Sequence, residues 1–322
     1  MILIKVKVMP QQKHSKFDSM LFLALCAVAI CANIGVLAGI VPQFDLFIHF
    51  QVQYLVLFLL LSVCFLCRRR WSFLAVSLFC TILPAMKVLP WYFGEVLDST
   101  PQIRILSSNV KASNTDTPAI LKMIDDVHAD IVVLLEATEL HSYELEDLKY
   151  DYPFVYSAEL HSGSGFLLYS KFLLTNVSFP DTGVGGMVSA FATVRSPFGD
   201  FDILAIHPIR PGPRHGSRLR DIAINNIAAH LKIASETTVV IGDLNTTMWT
   251  GSYNRFVQEN GLHNLREGRG IMPSWGMQNL GRFVSIPIDH CFVRGDIRGA
   301  SFELLSLDGS DHDAIVAGLT FE

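Results

Sequence analysis

The hydrophobic pattern of the chain changes sharply near residue 100. Residues 20–41 form a 22-residue stretch without a formal charge. Residues 46–67 form a second, with His49, Gln51 and Gln53 near its start. A third apolar run covers 71–93 and is interrupted by Pro84 and Lys87. Each run reaches the roughly 20 residues a helix needs to cross a bilayer core. Trp71 at one end of the third run, and Trp91 with Tyr92 at the other, stand where interfacial anchors belong. A cleavable leader would account for the first run alone, so three membrane helices are predicted. Beyond Pro101 the pattern becomes short apolar runs cut by turn residues. These predict strands over 103–109, 131–136, 165–170, 190–195, 201–207, 238–243, 287–293 and 314–321. The Ile-Val-Val-Leu-Leu run at 131–135 suits a strand buried on both faces. Helical spacing appears over 117–128, with Thr117 as cap and Pro118 in the first turn, and again over 218–233.

Charge sharpens this division. Half of the 322 residues are hydrophobic, and residues 1–100 contain only eight Lys/Arg and four Asp/Glu. The organisation expected is a tail over 1–19, a three-helix membrane anchor over 20–93, a linker over 94–100 and a water-soluble domain over 101–322. Lys5, Lys7, Lys13 and Lys16 precede the first run, and Arg68-Arg69-Arg70 joins the second to the third. The first connection has no Lys or Arg, and Glu95 and Asp98 follow the third run. By the distribution of positive charge, the tail and the triple-Arg turn lie inside a cytoplasmic (inner) membrane that the chain crosses several times. The soluble domain is then expected on the outer, periplasmic side; a third run that did not span would reverse that placement. Five of the six cysteines lie in the apolar section and read as packing residues, leaving Cys291 alone in the domain without a disulfide partner.

The chemistry is carried by polar residues at the ends of predicted strands. Asn109 ends the first strand, Glu136 the second and His207 the fifth. Asp243 and Asn245 follow the run 238–241, Asp289 and His290 lie inside 286–293, and Ser310-Asp311-His312 precedes the last strand. A buried strand end is a costly place for an unpaired charge. Several such ends converging on one sheet edge make a natural cation site. Carboxylate and amide oxygens suit a hard divalent cation and disfavour zinc. A serine-hydrolase reading finds no nucleophile elbow, and Ser310 reads as a turn residue.

Taken in order, Asn109, Glu136, His207, Gly242-Asp243-Leu244-Asn245, Ile288-Asp289-His290 and Ser310-Asp311-His312 resemble the endonuclease/exonuclease/phosphatase (deoxyribonuclease I-like) superfamily. Pro273-Ser274-Trp275 and Pro287-Ile288-Asp289-His290 are similar to its bacterial membrane-anchored branch. The resemblance covers essentially all of 101–322. It implies an α/β fold, a four-layered α/β sandwich here preceded by three transmembrane helices, and Mg²⁺- or Mn²⁺-dependent hydrolysis of a phosphate ester. It also implies Glu136 as the main metal ligand, with Asn109 and Asp311 in support. His312, oriented by Asp289, would be general base or stabiliser of the phosphoryl oxygens. Asp243 would position the attacking water, and Asn245 would bond a phosphate oxygen. His207 matches a second catalytic histidine present in some branches. Two positions depart from the pattern. Leu135 stands where Gln often precedes the glutamate, implying changed support around the metal. His290 replaces a common aromatic and is either a substrate contact or a partly buried strand residue.

The substrate is less legible. Removing the charges of residues 1–100 from totals of 25 Lys/Arg and 30 Asp/Glu leaves 17 against 26, a net −9 that disfavours broad nucleic-acid binding. Four of those acids belong to the proposed site. Arg210, Arg214, Arg218 and Arg220 form a basic cluster with His215 that would grip a substrate phosphate or a lipid headgroup, or else is a solvated loop entering a helix. The first reading is a membrane-anchored phosphodiesterase or nuclease. A phospholipid or small-phosphoester phosphatase is the alternative, and a catalytically inactive membrane-bound binding module is the reading from another class. The expected partners are a phosphoester substrate (nucleic acid or phospholipid headgroup) and the lipid bilayer, with no obligate protein partner.

Overall fold

Three apolar helices lead the chain onto an α/β sandwich. The structure, a computed structural model, describes residues 15–97, 99–161, 163, 165–185, 187–276 and 282–322. Lys5, Lys7 and Lys13 of the tail, and Asp98 of the linker, lie outside the described residues. Helix α1 (Lys16–Ile34) starts at a reciprocal cap between Ser15 and Asp18. A tight helical turn over Pro42–Phe50 runs directly into α2 (Gln51–Cys67), and α3 (Trp71–Val88) returns. The stretches Lys16–Gly39, Pro42–Cys67 and Trp71–Tyr92 are each long and apolar enough to cross a membrane. Pro84 lies inside α3 without ending it. Leu25, Tyr54, Phe58 and Phe65 turn inward, while Leu23, Ile30, Phe79 and Met86 face outward. The Ser62 and Ser77 hydroxyls bond at 3.0 Å across α2 and α3, a contact suited to close helix approach in lipid. At one end of the bundle the buried Asp18 carboxylate is bound by Arg68 and Arg70.

Among the described residues the domain forms two six-stranded sheets. The first runs in the order β11 (Ile297–Ser306), β12 (Asp313–Phe321), β1 (Ile103–Asn109), β2 (Ile131–Ala137), β4 (Gly165–Ser170), β3 (Phe154–Ala158), and the second β5 (Leu173–Ser178), β6 (Ala190–Ser196), β7 (Gly199–Ile206), β8 (Thr238–Asp243), β10 (Asp289–Arg294), β9 (His263–Asn264). Each has one parallel pair near its centre. The pair β1 (Ile103–Asn109) and β2 (Ile131–Ala137) is joined through α4 (Thr117–Val127), and the short α5 (Glu139–Glu144) follows β2. The pair β7 (Gly199–Ile206) and β8 (Thr238–Asp243) is joined through α6 (Arg218–Leu231). Parallel neighbours require such crossovers, and both crossovers deliver two strand ends to the same side of the molecule. Ile105, Val133, Leu135, Ala192, Ile203 and Ile241 belong to the core between the sheets. Ile120, Ile124 and Val127 of α4 cover the outer face of the first sheet. Ile224 and Ile227 of α6, with Tyr253 and Phe256 of α7 (Gly251–Glu259), cover the second. The result is the expected four-layered α/β sandwich.

Several local expectations change. The cap of α4 is Asp116, which accepts from the Ala119 N–H, whereas Thr117 is the first helical residue and bonds Glu144. Four strands had no counterpart in the sequence pattern: β3 (Phe154–Ala158), β5 (Leu173–Ser178), β9 (His263–Asn264) and β11 (Ile297–Ser306). The strand expected over 287–293 begins at Asp289, as β10 (Asp289–Arg294). β4 (Gly165–Ser170), β6 (Ala190–Ser196) and β12 (Asp313–Phe321) are close to their expected positions.

Candidate active site

The ends of both parallel pairs meet in one cleft. Glu136 sits at a register shift of β2 against β4 and has φ 55°. The bulge turns a side chain that regular pleating would send elsewhere towards Asn109. Lys111 and Asn245 also adopt left-handed backbone, at φ 63° and 50°. Such conformations are costly for residues with a Cβ and persist where surrounding contacts over-determine them.

Within the cleft the Asn109 amide nitrogen donates to Glu136 Oε1 at 3.0 Å, and lies 3.4 Å from both Asp243 Oδ2 and His312 Nε2. Glu136 Oε2 accepts from the Ala112 N–H at 3.3 Å. His207 Nε2 stands 3.7 Å from Glu136 and 3.7 Å from Asp243, and its buried Nδ1 has no hydrogen-bond partner among the described residues. His312 Nδ1 bonds Asp289 Oδ2 at 2.9 Å, and its Nε2 is 3.7 Å from Asp243 Oδ2. Asp243 Oδ1 accepts from the Asn245 N–H at 2.7 Å, and its Oδ2 from the Asn245 amide at 3.2 Å. The structure thus brings Asn109, Glu136, His207, Asp243, Asn245, Asp289 and His312 together. Asp311 is at the rim, where its carboxylate accepts from Trp275 Nε1 at 3.2 Å and faces Lys111 Nζ at 3.6 Å. A 320 Å³ cavity lined by Ser274, Trp275, Asp308, Asp311 and His312 opens beside it.

Electrostatics separate the roles. Burial, reinforced by the charge of Asp289, pushes the Asp243 carboxyl up to about 8. Burial holds His207 down at about 4 against the attraction of Glu136. Burial also opposes charge on His312, but the carboxylates of Asp289 and Asp243 outweigh it and raise the imidazole to about 10. Asp289 shows the reciprocal effect: burial favours its neutral form, yet His312 and the Ser274 hydroxyl hold it below the usual carboxylate range. His312 is therefore an imidazolium held by Asp289 at neutral pH, and His207 is a neutral ring.

The ligand atoms of Asp243, Asp289 and His312 lie within 4.8 Å of one another, the geometry of a potential metal cluster. The hydrogen bond already joining Asp289 to His312 makes this trio better suited to holding a proton than to encaging an ion. Glu136 and Asp311 offer the harder carboxylate oxygens, whereas the Asn109 amide oxygen accepts from the Lys111 N–H at 3.1 Å and its nitrogen faces Glu136. The raised carboxyl of Asp243 indicates more negative charge than the cleft can solvate. A divalent cation fits that surplus.

One expectation changes here, and two further positions are placed. Arg220 does not join the exposed arginines 210, 214 and 218. It is 0 % exposed and bonds Asp45 and Asp221, each at 2.8 Å, so it cannot reach a substrate. His290 is fully buried, between Asn264 and the Thr246 carbonyl, so it is no substrate contact. Leu135 faces the core between the sheets. Two contributors escaped the sequence reading. Lys111 neighbours Asp311, and the Ser274 hydroxyl donates to Asp289 at 2.7 Å. Ser274 was visible only as part of Pro273-Ser274-Trp275, and Lys111 only by its position two residues past a strand-ending Asn.

Two mixed sheets covered by helices, with acids and imidazoles at the ends of their central strands, define a deoxyribonuclease I-like sandwich. The chain belongs to the Endonuclease/Exonuclease/phosphatase family, whose model matches residues 106–312. Among solved structures it is similar to humanized TDP2 of D. rerio, with TM-score 0.57 and 16% identity over 68% of this chain and 98% of that one. It is also similar to the human Nocturnin catalytic domain with bound sulfate, with TM-score 0.57 and 17% identity over 72% and 99% of the two chains. A third relative in structure is a variant of the Neisseria 3′ phosphatase NExo bound to a product DNA hairpin, with TM-score 0.53 and 14% identity over 68% and 99%. No curated protein matches the chain.

Proposed function

We propose that the protein is a membrane-anchored, divalent-metal-dependent phosphoester hydrolase, acting first as a phosphodiesterase or nuclease. The observation that carries this reading is the joining of Glu136, Asn109, Asp243 and the Asp289–His312 pair in one cleft. Structural relatives support it: one TDP2 structure holds a single-strand DNA product, and NExo is a 3′ phosphatase. Mg²⁺ or Mn²⁺ held by Glu136 with Asn109 and Asp311 would supply positive charge against the phosphoryl oxygens. Asp243, held by the Asn245 N–H and side-chain amide, aligns the attacking water and as a carboxylate takes up its proton. The His312 imidazolium, kept charged by Asp289, stabilises the oxygens on which charge builds in the transition state. Asn245 donates to a phosphate oxygen, and His207, neutral and next to Glu136 and Asp243, offers a second hydrogen-bonding ring. Arg210, Arg214 and Arg218 are exposed and available to an anionic substrate.

A phospholipid headgroup is the second reading, and one observation favours it. The loop carrying Arg214 rests on the start of the second membrane segment. The Gln43 amide donates there to the Pro213 and Arg214 carbonyls at 3.4 and 3.3 Å. The triple-Arg turn lies at the end of the bundle remote from the domain, which supports a cytoplasmic turn and an external domain.

Full-length protein in detergent, assayed on plasmid DNA, RNA, phospholipid vesicles and bis-(p-nitrophenyl) phosphate, tests the proposal. Turnover is expected with Mg²⁺ or Mn²⁺, lost on EDTA, and reduced by about 10²-fold or more in Glu136→Ala and His312→Ala. Hydrolysis indifferent to EDTA and to both substitutions would overturn it.

A further inference from the structure

The second membrane segment carries an acid that an apolar helix alone would not tolerate. Asp45 lies at the start of Pro42–Cys67, in the tight turn Pro42–Phe50 that faces the domain, and is buried, where a carboxylate is expensive unless paired. Its partner is contributed by the soluble domain 175 residues away: Arg220 Nη1 donates to Asp45 Oδ2 at 2.8 Å. The same Nη1 reaches the backbone carbonyl of Asn245 at 3.3 Å, while Nε and Nη2 hold Asp221. One turn further along the segment, His49 Nε2 lies 3.1 Å from Asp45 Oδ2, and its Nδ1 bonds the Thr247 hydroxyl at 2.9 Å. Asp45, His49, Arg220 and Thr247 are all buried.

These contacts close on one loop. Asp243 and Asn245 occupy its start, and Asn245 needs φ 50° to turn both its N–H and its amide onto Asp243. A strained residue holds its conformation only where its neighbours enforce it. From within the domain, the Asn245 amide is tied to the Pro208 carbonyl at 3.1 Å. From outside, the clamp is the Asp45–Arg220 pair on its carbonyl and His49 on Thr247. We infer that Asp45 and His49 are positioning residues for the loop carrying Asp243 and Asn245, so that the membrane segment completes the active site as well as tethering it. The inference rests on the hydrolase reading for its kinetic consequence and on geometry for its structural one.

Asp18 supplies the control. It is equally buried and ion-paired, but at the Arg68–Arg70 end of the bundle, so Asp18→Asn disturbs the anchor without touching the loop. In full-length protein in detergent, with bis-(p-nitrophenyl) phosphate and Mn²⁺, Asp45→Asn is expected to lower kcat about 10- to 100-fold, the usual effect of losing an outer partner of a site. KM should change less than about three-fold, and Asp18→Asn should keep kcat near wild type. His49→Gln, which keeps the Asp45–Arg220 pair, is expected to fall between them, and Asp45→Glu to recover part of the loss. Amide hydrogen exchange over 243–250 gives a readout independent of activity: it should quicken in Asp45→Asn and stay unchanged in Asp18→Asn. Wild-type kcat in both Asp45→Asn and His49→Gln, or equal losses in Asp45→Asn and Asp18→Asn, would overturn the inference. Should the wild type hydrolyse nothing, the functional reading fails, and unchanged exchange at 243–250 would then refute the clamp.

Discussion

His290 shows how a residue adjacent to the site can serve the fold. Its Nε2 lies 2.9 Å from the Thr246 carbonyl and its Nδ1 3.1 Å from the Asn264 amide nitrogen, so the neutral ring with hydrogen on Nε2 satisfies both partners. Protonation would set Nδ1–H against the Asn264 donor. Tyr253 and Phe292 pack on the ring, Asp289 and Arg266 are its charged neighbours, and burial with the Arg266 charge holds it down at about 3. An unfolded histidine titrates near 6.5, so between about pH 6.5 and 3 the unfolded chain binds the extra proton. Stability contributed by this group is therefore complete above about 6.5 and falls with pH, by at most about 1.4 kcal/mol per unit. His290→Gln, which can still donate to Thr246, is expected to flatten the dependence of Tm on pH between 7 and 4.5; parallel curves for the two proteins would contradict the assignment. At this scale the sequence displayed which polar residues end strands, and their chemical types. It did not display partners. Nothing local separates Arg220 from Arg218, yet one is sealed against Asp45 and the other exposed.

At the scale of elements, the site depends on two parallel strand pairs whose ends coincide. Gly242 of β8 is paired with Ile206 of β7. With φ 137°, a Cβ built there would lie 2.2 Å from the Ile206 carbonyl oxygen. Gly242→Ala must push β8 from β7 or twist Asp243 out of the cleft. A loss on the order of 1–3 kcal/mol in unfolding free energy is expected, together with a kcat reduction larger than stability alone explains. Denaturant melts and kinetics on the same preparation separate the two effects. Normal activity in a folded Gly242→Ala protein would show that the close approach is dispensable. The strands β2, β4 and β8 were legible because both their faces are buried and their apolar runs are nearly unbroken, and β1 shares that burial except at the exposed Arg104. β3, β5 and β11 were not. All three are edge strands: β5 and β11 mix Thr, Asn, Arg and Glu with apolar residues at partly exposed positions, and β3 is five residues long with none fully buried, so neither period stands out. The bulge that aims Glu136 was also invisible, since no Gly marks it.

For the whole molecule, three membrane-length runs were plain in the sequence, but their union with the domain was not, because the contacts join residues more than 150 positions apart. Val88 is buried in the same apolar cluster as Leu244, Met248, Trp249 and Ile271, with Ile48, Val52, Leu55 and Trp91 packed against it. Trp249 Nε1 donates to the Lys87 carbonyl at 3.0 Å, and the Gly270 N–H to that of Trp91 at 2.8 Å. A fragment spanning 101–322 would present that apolar surface to water. It is expected to melt several degrees below the domain in full-length protein and to bind a hydrophobic dye while folded; equal melting without dye binding would mean that the packing contributes nothing. The same contacts constrain topology. The turn at 35–50 and the end of the third segment both touch the domain, whereas Arg68–Arg70 meet Asp18 at the opposite end of the bundle. If all three segments span, the domain and the triple-Arg turn must lie on opposite sides, and positive charge retained inside places the domain outside. A C-terminal reporter active only outside the cytoplasm should then be active, and neutralising Arg68, Arg69 and Arg70 together should weaken that bias. A reporter active only in the cytoplasm would require one segment to lie in the membrane without crossing it. The third, which continues through Pro84 and ends against Trp249, would then be the one to test by cysteine accessibility from each side.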